Sequence, residues 1–430
     1  MRHSAYAALA LLALIGCPAA LSQTVIKPAF EDVTLTGDLN AKILSGGPMI
    51  AYTTPREVGI WVSTAKEARV RIAYYDEDAV EKVRVTAEIE TAREDAFTVL
   101  FRCDRVEPGR KYFYKLYING KTYKLPFTRS FSTPELSGEQ TGQERLALLG
   151  PHAVDDVLYP PRNPVQHYDA IAPLTEADPT AMLWVGNSTL LRQADSTSVA
   201  GYDLRYGFAR NWEGLRPLQA TVPQYAAPGA DDLGTAANGW SPLPAIANAT
   251  FKRFWPVPGR ASAADLSYTF SRGDVAVFVL DAFTHRQAEQ RYGPQQVEWL
   301  LRGLEANKAK PLRVVALGEP LSPYSYRAES GTLLKQLRAA AKAGPIMLTA
   351  PGAAETRWIA HSRELTQLVL GPFSRKASPA PAVLPKGDII AKGQVFGLLS
   401  WANDQTPRLS IRSSAGDALM NYSFPKGTQP

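Results

Sequence analysis

The sequence predicts an α/β layered domain preceded by an all-β domain. Residues 44–134 carry runs of β-branched and aromatic residues separated by polar, Gly and Pro turns. From Arg145 to about residue 425, apolar strand-like runs alternate with helical patterns. Between them, Glu135 to Glu144 is polar and glycine-containing, the composition of a linker.

The N-terminus reads as a targeting segment. Met1-Arg2-His3 is a short basic start, and Ala7 to Ile15 is an apolar stretch too short to span a bilayer. Small residues in Ala20-Leu21-Ser22, before Gln23, suit signal-peptidase cleavage, so residues 1–22 are expected to be removed. Leu14-Ile15-Gly16-Cys17 also fits a lipobox, which would anchor a lipid on Cys17; Pro18 favours plain cleavage. Either exit leads out of the cytoplasm, to a periplasmic or secreted protein or an outer-membrane lipoprotein. No later segment is apolar enough for a transmembrane helix.

In the all-β part, Gly59-Ile60-Trp61-Val62, Val70 to Tyr75 and Lys111 to Tyr117 are the expected strands. Ile118-Asn119-Gly120-Lys121 is a hairpin signal. Glu107-Pro108-Gly109 before Tyr112-Phe113-Tyr114 looks like the turn before a late strand of a fibronectin type III-like sandwich. After cleavage Cys103 is the sole cysteine, so no intramolecular disulfide is expected, and its apolar run predicts a buried thiol.

In the second part, strands are expected at 146–149, 181–185, 275–280, 312–317, 346–349, 368–370 and 395–401. Helices are expected at Gln166–Ala172, Gln295–Asn307 and Gly331–Ala343, the second with apolar residues at helical spacing. Ser374 to Lys386 is Pro/Ala-rich and reads as a surface excursion. In such a layered domain, functional groups belong at the carboxyl ends of the strands.

Charge and motifs narrow the function. The net charge of +6 is spread over 430 residues without a Lys/Arg block or a basic run interleaved with aromatics, which speaks against a nucleic-acid partner. There is no Gly-x-Ser-x-Gly elbow, no phosphate-binding loop and no Cys-x-x-Cys pair. The histidines of the mature chain, His152, His167, His285 and His361, form no pair at metal-ligand spacing.

Several patches, in a shared order, resemble the PhoD-like alkaline phosphatases of the calcineurin-like metallophosphoesterase superfamily. They are Gly47-Pro48-Met49-Ile50-Ala51-Tyr52, Ile60-Trp61-Val62, Met182-Leu183-Trp184-Val185-Gly186, Leu191-Arg192-Gln193-Ala194-Asp195, Arg205-Tyr206, Arg210, Pro217-Leu218, Phe251 to Pro256 and Gly397-Leu398-Leu399. The resemblance implies a four-layer α/β/β/α domain behind the sandwich. It also implies a hydrolase using two metal ions, which polarise phosphoryl oxygens and activate a water.

The ligand motifs of that family depart here. Its Gly-Asp-Asn, source of the carboxylate that bridges both cations, is Gly186-Asn187-Ser188. Its Gly-Ser-Cys is Gly150-Pro151-His152, where His152 still offers a ligand. Its Trp-Asp-Asp-His-Asp becomes Pro228-Gly229-Ala230-Asp231-Asp232, with carboxylates lost at Gly229 and Ala230. Its Gly-Asp-Arg-His-His becomes Ala350-Pro351-Gly352-Ala353-Ala354, and neither Ala353 nor Ala354 can coordinate anything. The expectation is therefore a protein with no metal cofactor and no catalytic residues, a pseudophosphatase that binds a small anionic ligand or an envelope protein.

The alternative is an active phosphomonoesterase or phosphodiesterase with a site rebuilt from His152, Asp231, Asp232 and His285. A third reading makes the sandwich the active part, binding a protein or glycan through its loops, with the large domain as scaffold. Arg192, Arg205, Arg210 and His285 are candidates for residual ligand binding. The arginines either grip an anion or form ion pairs within the loops.

Overall fold

The computed structural model describes residues 24–25, 43–136, 138–152, 169–211, 213–235, 241–261, 264–287, 289–322, 326–374, 386–403 and 405–426. The expected targeting segment, Cys17, His167 and most of the Pro/Ala-rich stretch lie outside the described residues.

Alternation builds the N-terminal part. In strand Lys111–Ile118, Tyr112, Tyr114, Leu116 and Ile118 are buried, while Phe113, Lys115 and Tyr117 are only partly so. This strand pairs with Arg69–Asp76, Lys121–Tyr123 and Ser130–Ser132 in one sheet. Leu44–Thr53, Val58–Thr64 and Thr98–Cys103 form a second sheet. Ile50, Ile60 and Val62 of the second sheet share a core with Ile72, Tyr74 and Leu116 of the first. Val58–Thr64 is buried at every position because its other face, with Trp61, joins the core of the second part. Asn119 and Gly120 have φ of 52° and 77°, the two left-handed residues a tight hairpin turn requires. Cys103 is fully buried, and that burial pushes its thiol well up.

The second part stacks two sheets between helices in an α/β/β/α arrangement. The first has the order Gln224–Ala226, Ala181–Trp184, Glu144–Leu149, Val395–Trp401, Arg408–Ser413, Ala418–Ser423, its first three strands parallel. The second centres on parallel strands Val275–Val279, Leu312–Ala316, Ile346–Pro351 and Leu365–Leu370. Helix Gly293–Ala306 buries Leu300 and Leu304 and sets Trp299 edge-on to Phe278 of this sheet. Among the described residues, no helix is long and apolar enough to cross a membrane.

Several local expectations shift. The segment taken for a linker is packed: Gln140 is buried, Glu135 accepts the Thr141 N–H and hydroxyl, and Glu144 already belongs to a strand. Its polarity serves its own backbone and the buried Arg272, whose guanidinium donates to Glu144 at 3.0 Å and to Thr53 of the sandwich at 2.9 Å. Of the helix expected at Gln166–Ala172, residues 166–168 lie outside the described residues and a helix is seen at Ile171–Glu176; the one expected at Gly331 starts at Arg327. Strands Glu355–Ala360, Asp388–Lys392, Arg408–Ser413 and Ala418–Ser423 were not anticipated. Each has partly exposed polar or charged positions that mask a strand signal.

Candidate functional site

Strands Glu144–Leu149, Ala181–Trp184 and Gln224–Ala226 run parallel, so the loops that follow them emerge at one edge. These loops carry His152, Gly186 to Arg192 and Ala227 to Leu233. The facing sheet adds Pro351 to Ala354, at the end of strand Ile346–Pro351.

The loops touch directly. The His152 N–H donates to the Asn187 carbonyl at 2.8 Å, and the Leu191 N–H donates to the Asp231 carbonyl at 3.1 Å. Asn187 sits in the left-handed region at φ 55°, which asparagine tolerates better than most residues. Its side-chain oxygen accepts the Asp231 N–H at 3.0 Å. Gly186, at φ 128°, lies against the Pro351 ring, where a Cβ would come within 3.0 Å of Pro351 Cγ.

Asp232 is fully buried and points into the loops. Its carboxylate accepts the Ser188 hydroxyl at 2.8 Å, the Thr189 N–H at 2.7 Å and the Gly229 N–H at 2.9 Å. Burial pushes this carboxyl up to about 7, against the pull of Ser188, Gly229 and Arg210. Arg210, from helix Val199–Arg210, is also buried. It donates to Thr189 Oγ1 at 3.2 Å and to Ser188 Oγ at 3.4 Å, with its guanidinium 3.7 Å over the Trp255 ring. Trp255 donates its ring N–H to Ser188 Oγ at 3.2 Å. Burial lowers Arg210 to about 10.

His152 is buried edge-on to Trp184, with ring centroids 5.0 Å apart. Burial, and then Arg210, lowers its ring to about 3, so it is neutral at ordinary pH. Asp195 gathers two of the three candidate arginines: Arg192 donates to it at 2.8 and 2.9 Å, and the buried Arg205 donates at 3.1 Å. Burial would raise the Asp195 carboxyl, but these partners hold it below the usual carboxylate range. His285 is exposed and pairs with Asp265. Ala353 is buried, Ala354 is exposed, and the Gly352 N–H donates to the Leu370 carbonyl at 2.6 Å.

Among the described residues, no group of three or more His, Cys, Asp or Glu side chains is placed to hold a metal ion. His152, Asp231, Asp232 and His285 are thus not gathered into a rebuilt cation site. The donors present do not suit a two-cation centre. Asn187 directs its oxygen to a backbone N–H, Asp232 is turned inward, and Ala353 and Ala354 offer nothing. Ser188 is fully buried between Asp232, Arg210 and Trp255, which leaves its hydroxyl no access to a substrate.

Two sets of contacts are not legible in the sequence. Trp255, in the patch Phe251 to Pro256, closes the lattice around Ser188, 67 residues away in sequence. At the ends of the second sheet's strands, buried Arg286 and Arg291 meet Glu319 and Glu329. Gly318-Glu319-Pro320 directly after a strand was the available signal.

No protein-family profile and no curated protein sequence matches the chain. Solved structures do match, among them the following two. A structure of PhoD superposes with a TM-score of 0.68 at 12% identity, covering 90% of each chain. Purple acid phosphatase PPD1 from yellow lupin (Lupinus luteus) seeds superposes with a TM-score of 0.64 at 15% identity, covering 88% of this chain and 74% of that one. The chain has a PhoD-like metallophosphatase fold.

Proposed function

We propose that this chain is a catalytically inactive pseudophosphatase of the cell envelope, exported by its N-terminal segment, which acts as a binding or interaction protein. One observation carries the reading. Where the family's bridging carboxylate is expected, the neutral amide of Asn187 directs its oxygen to the Asp231 N–H. A neutral ligand cannot offset the charge of two adjacent cations. The engagement of Arg192 and Arg205 by Asp195, and of Arg210 by Ser188, Thr189 and Trp255, favours an envelope protein over a small anion as the partner.

The test is elemental analysis of the purified mature chain, with the same sample assayed on phosphomonoester and phosphodiester substrates in added Ca, Mn, Fe or Zn. The expected result is no stoichiometric metal and no turnover. Bound metal, with turnover that disappears in Asp231→Ala, would overturn the proposal and revive an active phosphatase.

A further inference from the structure

A metal centre needs a surplus of anionic donors facing a common point. The strand-end loops have the opposite arrangement. The Asp232 carboxylate is met by three donors from two loops and lies beside the internal cation Arg210. No buried negative charge is left here to call for a cation. Space is closed as well. A Cβ at Gly229 would run into the Asn187 side-chain oxygen and backbone nitrogen, with Asn187 Cγ at 2.9 Å. The Asn187 amide therefore lies where a side chain at 229 would start, and Pro351 packs on Gly186 from the facing sheet.

We infer that Asn187, Gly229, Asp232 and Arg210 form a self-supporting lock that holds these loops without a cation and blocks reassembly of a metal site. The departures from the family pattern are then interdependent. Asn187 occupies the space that Gly229 leaves open, and Gly229 leaves its N–H for Asp232. Ligands restored at other positions would meet loops already closed. The inference rests on the preceding reading only for where the metal position lies.

Three variants of the full mature chain test the lock. Gly229→Ala is expected to lower the melting temperature by about 5 °C, the scale of an overpacked buried site. In the Asn187→Gly background the same substitution should cost less by the part due to the Asn187 side-chain amide, the backbone nitrogen at 2.3 Å staying in place. An unchanged melting temperature, or strictly additive costs in the double variant, overturns the lock. Asn187→Asp/Ala353→His/Ala354→His, loaded with Mn or Zn and desalted, should carry no stoichiometric metal. Stoichiometric metal in this variant overturns the lock yet leaves the reading of the natural chain standing, because the natural chain lacks those ligands. Should the triple variant fail to fold, the Gly229→Ala pair of measurements decides alone.

Discussion

The two sheets of the α/β part end in loops that solve the same problem differently. At the first sheet, loops 186–192 and 227–233 are tied by acceptors aimed at backbone N–H groups, Asn187 on Asp231 and Asp232 on Thr189 and Gly229. At the second, Arg286 and Arg291 are tied by paired charges to Glu319, just after strand Leu312–Ala316, and to Glu329 in helix Arg327–Ala341. Arg286 meets Glu319 at 2.6 Å and Arg291 meets Glu329 at 3.3 Å, with both guanidinium groups about the Tyr326 ring. Glu329 also accepts the backbone N–H groups of Arg291 and Tyr292. Paired charges depend on both partners being present. The first set, with one buried acid and one buried histidine, depends instead on pH.

The largest effect should come from breaking the paired set. Arg291→Ala leaves the partly buried Glu329 without its cation and should cost about 3 kcal/mol in urea unfolding. A cost below about 1 kcal/mol would show that the backbone donors to Glu329 suffice and would erase the contrast.

The pH contrast comes next. His152 has a folded value of about 3, below its ordinary value near 6.5. Its contribution is present above pH 6.5 and is lost as pH falls towards 3. Asp232 has a folded value of about 7, above its ordinary 3.8. Its contribution is full below pH 3.8 and is lost as pH rises through 7. Between pH 4 and 6.5 the two slopes oppose each other, each of about 1.4 kcal/mol per pH unit. In His152→Phe, stability should therefore fall as pH rises across this window. In Asp232→Asn it should fall as pH drops. Urea midpoints at four pH values check both, and parallel profiles in the two variants would refute the assignment.

The smallest effect sharpens the comparison at the surface. The Arg192 side chain is 44% exposed, and Asp195 keeps Arg205 without it. Arg192→Ala should cost no more than about 1 kcal/mol. A larger loss would mean that Asp195 is held chiefly by the exposed arginine.

Much of the fold was legible because periodicity survives in the buried elements. Strands 146–149, 275–280 and 312–317 and the helix near 295–307 read as apolar runs or helical stripes, and the structure places them within a residue or two. Strands with partly exposed positions, such as Glu355–Ala360 with Glu355 and Arg357 paired on its surface, carry weaker patterns. At the site, residue type alone shows that Asn187 offers a neutral oxygen and that Ala353 and Ala354 offer no ligand. The commitment of Asp232 and Arg210 was not legible. Their shared partners Ser188 and Thr189 stand 21 to 44 residues away, and no spacing rule connects positions 188, 189, 210 and 232.

The sequence by itself determined the two-part order of β-only and α/β segments and the chemical inventory at the strand ends. Apolar periodicity dictates which faces must be buried, and an alanine or an amide keeps its coordination chemistry in any fold. Tertiary structure alone decided what the retained polar groups do. A buried carboxylate or guanidinium must find partners wherever the chain brings them. Packing turned Asp232 inward onto Ser188, Thr189 and Gly229, and paired His285 with Asp265.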